Sequence, residues 1–174
     1  MMVAIMTMTP VHLAAHGDGL TVIGLTISLH IVGMYALAPV AGWIADRAGA
    51  PVGVVLGLAV FGLSFVAAVA GQSSTALVTI ALVLLGLGWS FMSVAGASWL
   101  SAAVPESSRP SIQGLADAGA NLAAAAAAFL AGPLMAGVGF AGLSLVAAAA
   151  LLPLCLSLLL GRRARRRPSS VDAH

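Results

Sequence analysis

The residues able to do chemistry are few and widely spaced. Gly42-Trp43-Ile44-Ala45-Asp46-Arg47-Ala48-Gly49 holds the one internal place where an acid and a base stand side by side, with long apolar runs on both sides. Such a pair marks a sharp turn at a membrane surface. His30 lies midway along an apolar run, where an ionisable group is expensive and becomes a functional candidate by default. It reads either as a proton site, titrating in the useful range, or as a neutral imidazole bonded to a neighbouring helix. Gln113, Asp117 and Asn121 step by four, which stacks an amide, a carboxylate and an amide on one helix face. An Asp facing lipid there costs a few kcal/mol, so this face is expected to look into the bundle or a water-filled cavity. It reads as a gate or transport-path patch, or as a polar group satisfying the start of a helix.

Other candidates carry less. His12 and His16 are spaced i, i+4 and could in principle place two imidazoles on a metal. The only nearby acid is Asp18 and no His-Glu-x-x-His pattern occurs, so they read as interfacial histidines and no metal is expected. Gly62-Leu63-Ser64, Gly96-Ala97-Ser98 and Gly142-Leu143-Ser144 do not complete a Gly-x-Ser-x-Gly elbow. No catalytic residue and no cofactor is expected, and the chain does not read as an enzyme. Trp43 and Trp99 read as interfacial anchors. Trp89, mid-helix, reads as a packing or substrate-stacking residue.

The elements that must position these residues follow from composition. Of 174 residues, 61% are hydrophobic and 7% charged, against about 25% charged in a soluble domain. Mean hydropathy is +1.11. Runs of about 20 apolar residues follow one another, each enough to cross a bilayer, and the strips between them leave no room for a soluble domain. The class is an all-α, multi-pass membrane protein. The pI near 9.5 comes from a C-terminal arginine cluster, suited to anionic lipid and without a nucleic-acid role. A single cysteine, Cys155, excludes an internal disulfide. Neither a basic leader nor a small-residue cleavage site stands at the start, so no signal peptide is expected.

Punctuation by glycine, proline and polar residues predicts six transmembrane helices at about 1–15, 20–45, 51–70, 75–103, 111–137 and 141–160. A basic tail at 161–174 follows, expected to be disordered beyond Pro168. The first helix is short for a span and apolar from its first residue, as expected of a chain that begins inside a membrane helix. Gly33 and Pro39 are expected to bend the second helix. Gly86, Ser90, Ser93 and Gly96-Ala97 form a small-residue stripe suited to close helix contact. The run Ala123–Ala128 is expected to be a smooth surface for tight packing. The arginines at 47, 109, 162, 163, 165, 166 and 167 all fall on one face of a six-helix layout. Excess arginine marks the cytoplasm, so both termini are expected there, in the cell membrane.

Gly42, Asp46, Arg47 and Gly49, between two membrane helices, resemble the cytoplasmic signature loop of the major facilitator superfamily. Ala50-Pro51 stand where basic residues usually follow, which points to the second half of such a transporter. Leu87-Gly88-Trp89-Ser90-Phe91, Pro105-Glu106-Ser107-Ser108-Arg109 and Gln113-Gly114-Leu115-Ala116-Asp117 are similar to the tenth helix, loop and eleventh helix of bacterial permeases of this family. Gly132-Pro133 is similar to a Gly-Pro found in such helices. The resemblance implies one bundle of a 3+3 inverted repeat, working by alternating access. It makes the chain the C-terminal six-helix half of a cation-coupled permease or efflux pump, with a small-molecule substrate and a co-transported proton as partners. The bilayer and a missing N-terminal six-helix half, or a second copy, complete the partners. Asp46 and Arg47 would act as a gate loop, pairing in one state and separating in the other, and Asp117 as a contact at the cytoplasmic mouth. Two other readings stay open: a non-transporting membrane subunit or fragment, and a six-helix carrier active only as a dimer.

Overall fold

The computed structural model describes residues 1–153 and 156. Cys155, most of the segment expected to end the last helix, and the arginine tail lie outside the described residues. Among the described residues the chain is helical throughout: α1 (Met2–Ala15), α2 (Leu20–Tyr35), α3 (Ala38–Ala48), α4 (Ala50–Ala70), α5 (Thr75–Ala103), a 3-10 turn at Glu106–Ser108, and α6 (Arg109–Ala149). Four stretches are long and apolar enough to cross a membrane: Leu20–Ala48, Ala50–Ala70, Thr75–Ala103 and Glu106–Ala149. The all-helical membrane class follows directly.

Three departures from the expected helices have local causes. The helix expected over 20–45 stops at Tyr35 and resumes at Ala38. Pro39 stands in the first turn of α3; lacking an N–H, it cannot bond back to the Tyr35 carbonyl. Gly33 is not a bend. A Cβ there would lie 2.8 Å from the Val83 carbonyl oxygen, so the glycine serves close approach to α5.

The helices expected at 111–137 and 141–160 run together as α6, and the break sits at Gly139 alone, with φ 69° and ψ −178°. A left-handed φ of this kind favours glycine. Pro133 stays inside the helix. The chain reverses at Gly139. Ala127 and Ala150 line one cavity of about 200 Å³ with Met1 and Ala4, whereas a straight helix would hold them about 35 Å apart. α6 is therefore two limbs, 109–138 and 140–149, folded against α1.

The core forms where α4 and α5 pack antiparallel. Gly53 meets Ala95, Gly57 meets Met92, and the Phe61 ring fits over Gly88. Phe61, Phe65, Val78, Leu82 and Leu85 are buried there. α2 packs on the other side of α5 and runs parallel to it: Thr26 meets Thr79, His30 meets Leu82, and Tyr35 meets Trp89. The small-residue stripe on α5 is used only in part. Gly86 touches α2, while Gly96 has nothing within 4 Å.

The turns gather at two ends. At the first, the His12 ring stacks on Phe140 at 4.2 Å, and its Nε2–H donates to the Gln72 carbonyl at 2.7 Å. Turn 16–19, turn 71–74 and the Gly139 reversal thus meet around one side chain. At the second end lie the Gly49 turn and the 104–108 segment, where Arg109 Nε–H donates to the Ser101 carbonyl at 2.9 Å.

Candidate functional site

The gate-like turn is built by α3. Ala41 and Ala45 are buried, which turns Trp43, Asp46 and Arg47 outward on the opposite face. Gly49 joins α3 to α4 at φ 86°, a left-handed value that a side chain would strain. Among the described residues no ion pair joins Asp46 to Arg47 in this state. Arg47 instead lies over the Trp43 ring, 4.8 Å from its centroid. The reason is helical geometry: Trp43 and Arg47 are i, i+4 and share a face, whereas adjacent residues diverge. Asp46 is exposed.

His30 sits inside the α2–α5 seam, fully buried. Its Nδ1 lies 2.6 Å from the Leu82 carbonyl oxygen. A carbonyl only accepts, so Nδ1 carries the hydrogen and donates. Nε2 is buried without a partner among the described residues, as is the Ser90 hydroxyl. Gly86 makes the notch that admits the ring: a Cβ there would be 2.4 Å from the His30 carbonyl oxygen and 3.2 Å from Nδ1.

Trp89 is half-buried and meets Tyr35 edge to face, with centroids 5.9 Å apart at 70°. Tyr35 is 60% exposed, so the aromatic pair looks outward from the seam, while His30 does not. Trp43 and Trp99 are both exposed.

Gln113, Asp117 and Asn121 do not face the interior. Every residue from 114 to 123 is exposed, and Gln113 is half-buried. Asn121 Nδ2 donates to the Asp117 backbone carbonyl at 2.9 Å, leaving the Asp117 carboxylate outward. The cause is tertiary. Met1 and Ala4 of α1 lie level with Ala127 and Leu130, so among the described residues no part of α1 covers the stretch of α6 before Ala127. The alanine run packs only in part: Ala127 lies against the cluster of Ala4, Ala131 and Leu143, while Ala123, Ala125 and Ala126 are exposed.

His12 and His16 come within 4.3 Å, centroid to centroid. His16 Nδ1–H donates to the His12 carbonyl at 2.9 Å, so each ring has one nitrogen on a carbonyl. No group of three metal-ligating side chains occurs among the described residues. A cavity of about 530 Å³ between α4 and the second limb of α6 is walled by apolar side chains such as Leu58, Phe65, Val66 and Leu145 and holds none of the candidate polar residues.

Sequence reasoning missed the hydroxyls of the seam. Thr26 and Thr79 share a hydrogen bond of 2.8 Å, and the Thr75 hydroxyl donates to both Asp18 carboxylate oxygens at 3.0 and 2.8 Å; across α4 and α5, Ser64 likewise donates to the Ala81 carbonyl at 2.7 Å. The available signal was spacing: Thr26 with His30, and Thr75 with Thr79, are i, i+4 pairs in apolar helices.

Comparison with known proteins places this architecture. The family model described as Major Facilitator Superfamily matches residues 1–173. An uncharacterized MFS-type transporter of Bacillus subtilis (strain 168), YddS, is 41% identical over 117 residues, which are 67% of this chain and 27% of that relative. A second from the same strain, the uncharacterized MFS-type transporter YdeG, is 40% identical over 117 residues, again 67% of this chain and 27% of the relative. The matched region thus spans about a quarter of the length of these curated relatives. No solved structure matches the chain.

Proposed function

The chain belongs to the Major Facilitator Superfamily, and from that premise we propose that it forms the C-terminal six-helix half of a permease moving a small molecule across the cell membrane. In this reading α2 and α3 make one bent span and the two limbs of α6 make two, giving six spans of a 3+3 inverted repeat. The second end, with Arg47 and Arg109, faces the cytoplasm under the positive-inside rule, and both termini lie there. The first end, with His12 and Gln72, is extracytoplasmic. Transport runs by alternating access between two bundles, driven by a cation gradient, as a permease or efflux pump.

One observation carries the reading. The α6 face over 114–123, with Asp117 and Asn121, is bare inside a stretch long and apolar enough to span. An Asp there facing lipid costs a few kcal/mol. A second bundle, either an N-terminal half or another copy, removes that cost by covering the face. Gln113, Asp117 and Asn121 then sit at the cytoplasmic mouth between bundles. Trp89, with Tyr35, offers an aromatic surface to substrate, and His30 behind it is the candidate proton site. Gly42, Asp46, Arg47 and Gly49 form the gate loop. With Arg47 held by Trp43, Asp46 is free to meet a group on the other bundle in one state and release it in the other.

The test is reconstitution of the chain in vesicles, alone and with a partner half, followed by flux of a substrate panel. Flux only with the partner half supports the proposal; flux from the chain alone shifts it to a dimeric carrier. Absence of flux in both, with the chain folded, leaves a non-transporting subunit. Within a complete transporter, Asp46→Asn is expected to lower flux at least tenfold, and unchanged flux removes the gate role.

A further inference from the structure

The α2–α5 seam holds a row of polar groups that ends at one unpaired atom. At its outer mouth Asp18 accepts the Thr75 hydroxyl. One turn deeper, the Thr79 hydroxyl donates to the Thr75 carbonyl at 2.8 Å. That contact uses the only hydrogen on Thr79, so in the 2.8 Å contact between Thr26 and Thr79 the donor is Thr26. The Thr26 oxygen, buried at 1% exposure, therefore keeps accepting capacity. His30 follows Thr26 by one turn on the same face of α2. Helical side chains tilt toward the N-terminus of their helix, which leans the ring back toward Thr26. Nδ1 is committed to Leu82, so the ring can gain or lose a proton only at Nε2. Nε2 is buried and has no partner among the described residues. A fold seldom leaves a buried acceptor unpaired, because the desolvation cost goes unrecovered.

We propose that His30 Nε2 is a proton-binding site reached by water from the extracytoplasmic end of the seam, the end that Asp18, Thr75, Thr79 and Thr26 line. The direction of loading rests on the orientation given under Proposed function; the site itself does not. In the binding step the Nε2 lone pair forms a bond to a proton carried in by water. The O–H bond of the hydronium breaks, its electrons stay on the departing water, and the ring becomes an imidazolium. Nδ1–H keeps its bond to Leu82, and the new N–H finds no acceptor among the described residues of the closed seam.

The charge is what couples this step to conformation. α2, α4 and α5 carry no charged side chain, and Tyr35 turns to Trp89 rather than to the ring. α1 brings His12 only at the outer mouth, with His16 and Asp18 just past its end, and the Met1 ammonium at its start; Asp46 and Arg47 lie on α3 at the opposite end. An imidazolium in the closed seam has no counter-charge among the described residues. Gly33 and Gly86 let the helices meet so closely that a single added Cβ would collide with the facing backbone. Protonation therefore favours an arrangement with the seam opened to water. A ligand that binds one arrangement better shifts the population toward it.

The experiment uses the whole chain in lipid bilayers with nitrogen-15 in its histidine rings, followed by solid-state NMR between about pH 8 and pH 5. At the alkaline end one histidine should show a protonated Nδ1 and a bare Nε2; on acidification that Nε2 should gain a hydrogen while Nδ1 keeps its own. His30→Asn identifies the signal. The Asn amide can donate to Leu82 in place of Nδ1–H but has nothing at the Nε2 position, so the variant should fold, lose this one titration and keep the others. In oriented vesicles, acidifying the extracytoplasmic face alone should suffice, and Thr26→Leu should slow the response several-fold. The site is overturned if no such Nε2 gains a proton in this range in the unaltered chain, or if His30→Asn leaves every titration in place. Protonation only from the cytoplasmic face overturns the route. None of these readings needs transport, so a titrating His30 in a chain that gives no flux with any partner half would sink the transport reading and spare this one.

Discussion

The α2–α5 seam and the first limb of α6 are both apolar helices carrying polar groups at i, i+4 spacing, yet they are solved in opposite ways. In the seam, Thr26, Thr79 and His30 each reach a partner on the facing helix, and glycines bring the backbones close enough for those bonds. On α6, Asn121 can reach only its own helix and Asp117 faces outward. Glycines 114 and 119 have nothing within 4 Å. Polar side chains at the same spacing reach across to a facing helix in one place, and only to their own helix or outward in the other. The seam joins two helices within the bundle, whereas the α6 face over 114–123 is left exposed.

Substitutions that add bulk separate the two regions most strongly. Gly86→Leu should force α2 and α5 apart, since even its Cβ would lie 2.4 Å from the His30 carbonyl oxygen. Overpacking of this kind costs about 1–3 kcal/mol, and a backbone clash raises that, so thermal melts in detergent should show a large loss of folded chain. Gly114→Leu should leave the melt of the chain alone within about 0.5 kcal/mol of the parent. Equal losses from both would break the comparison.

Charge gives the next largest contrast. Asp117→Leu should leave the melt of the chain alone unchanged or raise it in bilayers, where an Asp facing lipid costs a few kcal/mol. It should weaken association with a partner half, read by co-purification. If association is untouched, the α6 face is not the contact.

Smaller effects sharpen the picture. Thr26→Val removes one interhelical hydrogen bond, an average loss of about 0.6 kcal/mol within membranes, measurable as a modest fall in melting temperature. Arg47→Gln removes an exposed stacking of cation on ring, about 0.5 kcal/mol. Its melt should barely move.

Much of the fold was legible because membrane helices are written in composition. Charged residues are so scarce that Asp18, Asp46, Arg47, Glu106 and Arg109 each mark a helix end. Pro39 and Gly139 break helices for reasons carried by their own backbones. Less of the site was legible. The i, i+4 spacing of Asp117 and Asn121 gives a face but not its direction, which depends on where α1 lies. The spacing of Trp43 and Arg47 was as readable as the adjacency of Asp46 and Arg47, and helical geometry favours the former. The Leu82 carbonyl that fixes the His30 tautomer is remote in sequence, and no pattern near His30 points to it.

By itself the sequence determined the class, an all-helical membrane protein, and carried motifs enough to resemble its family. Burial of apolar runs and the cost of charge in lipid act locally and leave a mark at each position. Only the tertiary structure decided which polar groups are paired. It placed His30 against Leu82, Arg47 on Trp43 and Asp117 in the open. Hydrogen bonds and contacts between helices depend on register and approach across the bundle, and those are set by all the packed residues together.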